Sequence, residues 1–461
     1  MPKELSEIFA DYAADAQYEA LPQAAIEGAK KSILDTAGVI LAGSGMEPAV
    51  RGLIDFVTES GGRQESSILA FGGRVPAMMA ALANGAMAHC LDYDDQTPWG
   101  QHSASSLIPA VFAISERKGG VSGRDMITAV AIGQDLFNRL RQHIDWRKDW
   151  MFSTVIGVFC AAAASGRLLG LSREQIANAL GIASMQSSGI AEVVNSTGSD
   201  LRAMYAGFPA KGAVLAAILA EKGVSGIPGL FEAKHGIMST YFGGRFDRDK
   251  IIEGLGENFT GGLTLYKRWP AVGTAHSHIH ATIGLVKEHK IRPDEIAEIK
   301  VYVGDYHQLM CDPLPIRREP KTLVDAKFSL PFLVAVAAVQ GDVRLVDFAG
   351  ASLRNTTVLE TARKVVPIED RSLDWKLELP PGRVEIVMQD GRRFDRIGTS
   401  VPGSPEAPMT WNDICRKFDD CAAAAVTPLS PDTASRVRAI AGNLETLADA
   451  TELLRLLSAQ T

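Results

Sequence analysis

Val155-Ile-Gly-Val-Phe-Cys-Ala-Ala-Ala-Ala-Ser-Gly-Arg-Leu-Leu169 is apolar on almost every side of a 3.6-residue repeat. Such a helix is buried all round, either in a protein core or in a bilayer. Its apolar stretch, residues 155–165, falls short of the roughly 18 residues needed to cross hydrocarbon. The reading is therefore a helix at the centre of a helical assembly, and its run of alanines lets neighbouring helices approach closely.

The flanking sequence extends this pattern. Residues 125–144 and 173–187 read as helices, with Ser122 and Ser172 as capping residues at their starts. Ala-rich stretches at 77–88 and 210–220 again allow close helix contact. Helical periodicity persists to about residue 262 and changes after Tyr266. Residues 275–288 are still helical, but Ile299, Val301 and Val303 then alternate with Lys300 and Tyr302, the period of a half-buried strand. A second strand is expected over 383–388, with Asp390-Gly391 as a hairpin turn into 392–397. Helices over 330–339, started by Ser329, and over 356–365 lie between them. After the Pro-rich linker 402–408, residues 411–425 and 434–457 are helical again. The expected fold is mainly α: a large all-helical domain built from both chain ends (1–266 and 402–461), plus a smaller α+β domain (267–401).

With 461 residues, 46% hydrophobic and 22% charged, the chain suits two globular domains. Its net charge of −7 gives no reason to expect nucleic acid or an anionic membrane as partner. An anionic substrate must then be held by a local basic site. The five cysteines, Cys90, Cys160, Cys311, Cys415 and Cys421, are odd in number and form no CxxC pair, which points to a reducing compartment. The N-terminus has no signal-peptide pattern, so a soluble cytoplasmic protein is expected.

Three polar clusters could carry chemistry. The first is Ala88-His-Cys-Leu-Asp-Tyr-Asp-Asp-Gln-Thr-Pro-Trp-Gly-Gln-His-Ser103, with His89, Asp92, Asp94, Asp95 and His102 within fourteen residues. Three carboxylates this close should leave at least one with a raised pKa. A nearby histidine can act as acid or base near neutral pH. The plainer alternative is a loop whose aspartates cap the helix beginning near Ser105. A calcium loop lacks its Gly and final Glu here, and no zinc spacing is present, so no metal is expected. The second cluster, residues 196–212, offers Arg202, Tyr205 and Lys211. An arginine binds carboxylates through two parallel hydrogen bonds. The third, Tyr266-Lys-Arg-Trp-Pro270 followed by His276, His278 and His280, sits at the domain junction, a common place for ligands. There is no GxGxxG after a strand, no P-loop, no GxSxG and no HExxH. The missing nucleotide and nucleophile motifs favour proton transfer on a bound small acid.

These strings, in this order, resemble the MmgE/PrpD family. HCLDYDD at 89–95 is similar to its HxLDFDD signature, and residues 157–171 (GVFCAAAASGRLLGL) to its Ala-rich helix. Lys267 to Pro270 with His276 resembles KxYP…H, with Trp269 for Tyr, and residues 326–331 (AKFSLP) match a further family string. The resemblance implies a helical domain with an α+β lid, a site in the cleft between them, a homodimer, and neither metal nor organic cofactor. It implies 2-methylcitrate dehydratase, cis-aconitate decarboxylase or iminodisuccinate epimerase chemistry on small di- or tricarboxylic acids. Asp92 and His102 match the family's functional positions. Gln96, Met151, Arg202 and Tyr205 depart from its usual Thr, His, Lys and His, which sets this chain apart from the decarboxylases. The expectation is a hydro-lyase in which Asp92, His102 and Tyr205 are catalytic. Asp95, Gln96, Arg202, Lys267, Arg268 and His276 are expected to bind substrate, with Arg202, Lys267 and Arg268 clamping its carboxylates. A dicarboxylate epimerase, a decarboxylase and a non-catalytic binding protein are the alternatives.

Overall fold

The computed structural model describes residues 2–195 and 198–458, the side chains at 307 and 308 apart. The first part of the chain forms α1 (Leu5–Asp15), α2 (Gln23–Met46), α3 (Ala77–His89), α4 (Ala104–Lys118), α5 (Gly123–His143), α6 (Phe152–Leu169), α7 (Arg173–Ala183) and α8 (Gly207–Glu221), with a further helix at Pro48–Glu59 and shorter elements between them. The expected caps are in place. The Ser122 hydroxyl accepts the Asp125 N–H at 3.1 Å to start α5, and Ser172 and Gln175 cap α7 reciprocally. Gly170, in the left-handed conformation, ends α6.

Helix α6 lies at the centre, packed against α4, α5, α7 and α8. It starts at Phe152, three residues ahead of the apolar run, and is therefore 18 residues long. By length and composition it is the one described helix able to cross a membrane. Here 89% of it is buried inside the protein, as a core helix would be. Small residues set the packing distances. Where α3 crosses α8, a Cβ on Gly85 would lie 2.8 Å from the Gly207 Cα, so nothing larger than glycine fits without a shift.

The second part adds α9 (His276–His289) and a four-stranded sheet of β1 (Ile296–Val303), β2 (Val365–Glu369), β3 (Gly382–Met388) and β4 (Arg393–Gly398). Its order is β2-β1-β3-β4. Strand β1 is parallel to β2 and antiparallel to β3, with Val301 opposite Val384. Ile299, Val301, Val384 and Ile386 are buried, and α9 packs on β3 and β4. Between β1 and β2 run α10 (Leu330–Gln340), capped by Ser329, and α11 (Thr356–Arg363). The helix expected over 356–365 ends at Arg363, and the chain then enters β2, a strand the sequence did not reveal. Strand β2 carries Pro367 and lies at the sheet edge, where a missing N–H costs no ladder bond.

The chain closes with α12 (Trp411–Ala423), α13 (Pro431–Gly442) and α14 (Thr451–Leu457). The expected helix over 434–457 is thus two helices, interrupted after Gly442. Helices α12 and α13 pack on α2, and α14 on α4. Gly38 makes room for this return: a Cβ there would lie 3.2 Å from the Phe418 ring. The result is a mainly α protein with a smaller α+β part.

Candidate active site

Helix α3 ends at His89, and the chain turns so tightly that the Asp92 N–H donates to the His89 carbonyl at 2.7 Å. Asp92 itself is left-handed, with φ of 49°, a conformation that aspartate tolerates better than most residues. A buried turn leaves carbonyls without ladder partners. Three buried ammonium groups supply them. Lys327 donates to the Cys90 carbonyl at 2.5 Å, Lys267 to that of Asp92 at 2.8 Å, and Lys417 to that of Tyr93 at 2.6 Å. The three lysines come from the short helix Leu323–Lys327 before α10, the junction before α9, and α12. Lys267 also bonds the Asp92 carboxylate, and Lys417 lies 2.7 Å from the buried Asp35 carboxylate. The carbonyls and carboxylates together offset the cost of burying the cations.

The three carboxylates of the turn fall into distinct environments. Burial would push Asp92 up, but the charges of Lys267 and His102 outweigh it and hold the carboxyl well below its usual range. Asp94 is likewise held down against burial by His102 and His89, whose Nδ1 lies 3.0 Å from it. Asp95 is the raised member: burial, then the charge of Asp94, pushes it to about 6. Asp95 accepts the Ser103 hydroxyl at 2.6 Å and the Ala104 N–H at 3.0 Å, so it caps α4. The plain capping alternative therefore describes Asp95, while Asp92 faces the cavity.

His102 is oriented from the same loop. Its Nδ1 lies 2.6 Å from the Asp95 carbonyl, which can only accept, so Nδ1 carries the hydrogen. In the neutral ring Nε2 then keeps its lone pair, 3.9 Å from the Asp92 carboxylate. Burial lowers the His102 pKa despite the Asp94 charge, which favours that neutral form. Tyr205 is raised well above 10 by burial and by Asp92, so its phenol stays protonated. Its ring lies 4.2 Å from that of His89.

Asp92, His102 and Tyr205 line one cavity of about 200 Å³. The other expected site residues are not gathered there. Gln96, Lys267 and His276 line a separate cavity of about 540 Å³. The backbone of Gln96 pairs with Leu265, and His276 donates from Nε2 to the Ala271 carbonyl while burial lowers its pKa to about 3. Arg268 is half-exposed and pairs with Asp342 at 3.1 Å. Arg202 is buried with its guanidinium 3.4 Å from the centroid of the Phe328 ring, which lines the first cavity. The expected carboxylate clamp of Arg202, Lys267 and Arg268 is thus not assembled, because the first stacks on a ring, the second serves Asp92 and the third faces solvent. Ser196 and Thr197 of the second polar cluster lie outside the described residues.

Conversely, Lys148, Tyr306, Trp146 and Gln101 line the first cavity and were not singled out in the sequence. Gln101 lies in the first polar cluster beside His102, whereas Trp146, Lys148 and Tyr306 are isolated residues in loops or short turns, with no motif to flag them. Lys327 lay within AKFSLP, where a lysine inside an apolar string was the available signal. For a metal, His89, Asp94 and His102 bring ligand atoms within 4.8 Å of one another. His89 Nδ1 contacts the Asp94 carboxylate and His102 Nδ1 the Asp95 carbonyl, so the Nε2 atoms are the ones a metal would take.

The chain is 26% identical over 464 residues to the cis-aconitate decarboxylase-like protein oryM of Aspergillus oryzae, covering 95% of this chain and 94% of that protein. It is 24% identical over 486 residues to cis-aconitate decarboxylase of Mus musculus, covering 99% and 94%. Against the mitochondrial 2-methylcitrate dehydratase of Yarrowia lipolytica it is 22% identical over 415 residues, covering 85% and 78%. Residues 7–249 match the MmgE/PrpD N-terminal domain and residues 269–445 the MmgE/PrpD C-terminal domain, so the chain belongs to the MmgE/PrpD family.

Proposed function

We propose that this protein is a hydro-lyase that removes water from a small hydroxy di- or tricarboxylic acid. The observation that carries this reading is the fixed tautomer of His102. Its Nδ1–H is spent on the Asp95 carbonyl, so a neutral ring presents Nε2 to the cavity as a base. In the proposed step Nε2 takes the proton α to a carboxylate, and the electron pair forms the C=C bond as the β C–O bond breaks. Tyr205 gives its phenolic hydrogen to the departing hydroxyl, which leaves as water. The imidazolium proton returns to the phenolate through solvent, so protons balance over the cycle. Asp92, ionised beside Lys267, stabilises the transient imidazolium.

A decarboxylase is the second reading, favoured by the names of the Aspergillus oryzae and Mus musculus relatives. Loss of carbon dioxide from an unsaturated acid needs a proton added to carbon, an acid's role. The depressed His102 favours the base's role instead. Incubation of the protein with hydroxy acids and with unsaturated tricarboxylic acids in deuterated water separates the possibilities. A new conjugated alkene in the ultraviolet supports dehydration. Deuterium uptake without an alkene would support epimerisation, and carbon dioxide release decarboxylation. No turnover of any kind would sink the enzymatic reading.

A further inference from the structure

The cavity that holds His102 has an uneven lining. One side is polar, with Asp92, His102 and Tyr205. The lining also carries an apolar group, Met151, Val194, Leu309 and Phe328, of which Met151 and Val194 pack against Tyr205. Among the described residues of the lining, Lys148 is the single cation. Its ammonium lies 2.7 Å from Asp305 and 2.8 Å from the Trp375 carbonyl, and both Lys148 and Asp305 are partly exposed, which marks the solvent end. Lys148 has a left-handed backbone, φ 65°, a conformation rare for lysine. The volume, about 200 Å³, is below the several hundred Å³ of pockets for larger ligands.

These features bear on the charge that the cavity accepts. Asp92 is already matched by Lys267, and Lys148 by Asp305. A carboxylate entering at the solvent end can share Lys148. A second can hydrogen-bond near Tyr205 and Tyr306. A third would lie against the apolar wall of Met151, Val194 and Leu309, with no second cation among the described lining residues, since Arg202 is held behind the Phe328 ring. An unpaired buried carboxylate is strongly disfavoured. That same wall rewards an alkyl group, whose burial excludes water from Met151, Val194 and Phe328.

Resting on the proton-transfer reading of the site, we propose that the substrate is a dicarboxylate bearing an apolar branch, and not a tricarboxylate. Lys148 seats one carboxylate at the solvent end, and Met151, Val194, Leu309 and Phe328 receive the branch. Met151 and Lys148 are then specificity-determining residues.

The test compares malate, 3-methylmalate, 3-isopropylmalate and citrate with the full-length protein, reading binding by calorimetry and α-proton exchange in deuterated water by NMR. Binding tests the substrate class, and exchange tests the chemistry. The expected result is that an alkylated malate binds at least tenfold more tightly than malate or citrate. Citrate binding as tightly as the branched acids would overturn the inference, and so would the absence of binding by all four. Branched acids that bind without exchanging a proton would leave the substrate class standing and overturn the hydro-lyase reading. Met151→Gln, close in length, should weaken the branched acid at least tenfold while changing malate less than twofold. Lys148→Met should weaken both. Equal effects of Met151→Gln on the two acids would count against the apolar wall as the seat of the branch.

Discussion

The Lys417 ammonium donates to the Tyr93 carbonyl at 2.6 Å across 324 residues of sequence. This contact ties the C-terminal helix α12 to the turn that presents Asp92. It is one of three lysine-to-carbonyl bonds in that turn. Like Lys267 with Asp92, Lys417 also engages a buried carboxylate, that of Asp35. The geometry of the candidate site therefore depends on the two chain ends meeting on α2.

Removing Lys417 should cost stability first. Lys417→Met leaves Asp35 buried without its cation, and burial already pushes the Asp35 carboxyl up. Breaking one side of a buried pair costs about 3–5 kcal/mol. Urea unfolding should show a loss of that order, and Lys417→Met combined with Asp35→Asn should recover part of it. If the single variant unfolds like wild type, the pair contributes nothing.

Lys267→Met should act mainly on chemistry. The Lys267 charge is the largest force holding Asp92 ionised against burial. Without it the carboxyl titrates upward, and the Asp92 charge beside His102 is less firmly held. Turnover should fall by about 10²-fold or more, with a new pH dependence reporting Asp92. An unchanged pH–rate profile would show that Lys267 does not tune Asp92.

Much of the fold was legible because periodicity reports burial. Residues 155–169 announced a core helix, and the alternation at Ile299, Val301 and Val303 announced a half-buried strand. Strand β2 escaped because Val365 to Glu369 is short, contains Pro367 and directly follows a helix. The site was legible only in part. HCLDYDD located the turn, but three adjacent aspartates carry no sign of which faces the cavity. That depends on the left-handed Asp92 and on Asp95 capping α4. Lys267 was legible as a cation at a junction and was expected to meet substrate. It turns inward because the buried carbonyl of Asp92 needs a donor, which is a tertiary requirement. Lys148 and Tyr306 reach the cavity through the fold alone, both packed against Trp375.

Asp95 should make the protein less stable at neutral than at acid pH, relative to a neutral isostere. Its folded pKa of about 6 lies above the roughly 3.9 of an unfolded aspartate. The folded state then binds the proton more tightly. Its stabilising contribution is complete below about pH 4 and is lost as pH rises through 6. Asp95→Asn keeps an acceptor for the Ala104 N–H and removes the charge. Relative to wild type, its unfolding free energy should gain on the order of 1–3 kcal/mol on going from pH 4 to pH 8. A difference that does not vary over that range would show that Asp95 is not raised.

His102 gives the reverse sign. Its folded pKa is lowered, by burial above all, beneath the roughly 6.5 of an unfolded histidine. The unfolded chain therefore binds the proton more tightly, and the contribution to stability present above pH 6.5 is lost as pH falls toward the folded value. The same titration governs catalysis if Nε2 is the base, because only the neutral ring has a lone pair to offer. The rate should hold through pH 7 and decline on an acidic limb below the ordinary histidine range. His102→Ala should lower turnover by about 10²–10⁴-fold and remove that limb. Tyr205 contributes no alkaline limb below pH 10, because burial and the Asp92 charge keep its phenol protonated there. Tyr205→Phe should slow dehydration while leaving the acidic limb where it was. An acidic limb that moves in Tyr205→Phe and persists in His102→Ala would exchange the roles assigned to the two residues.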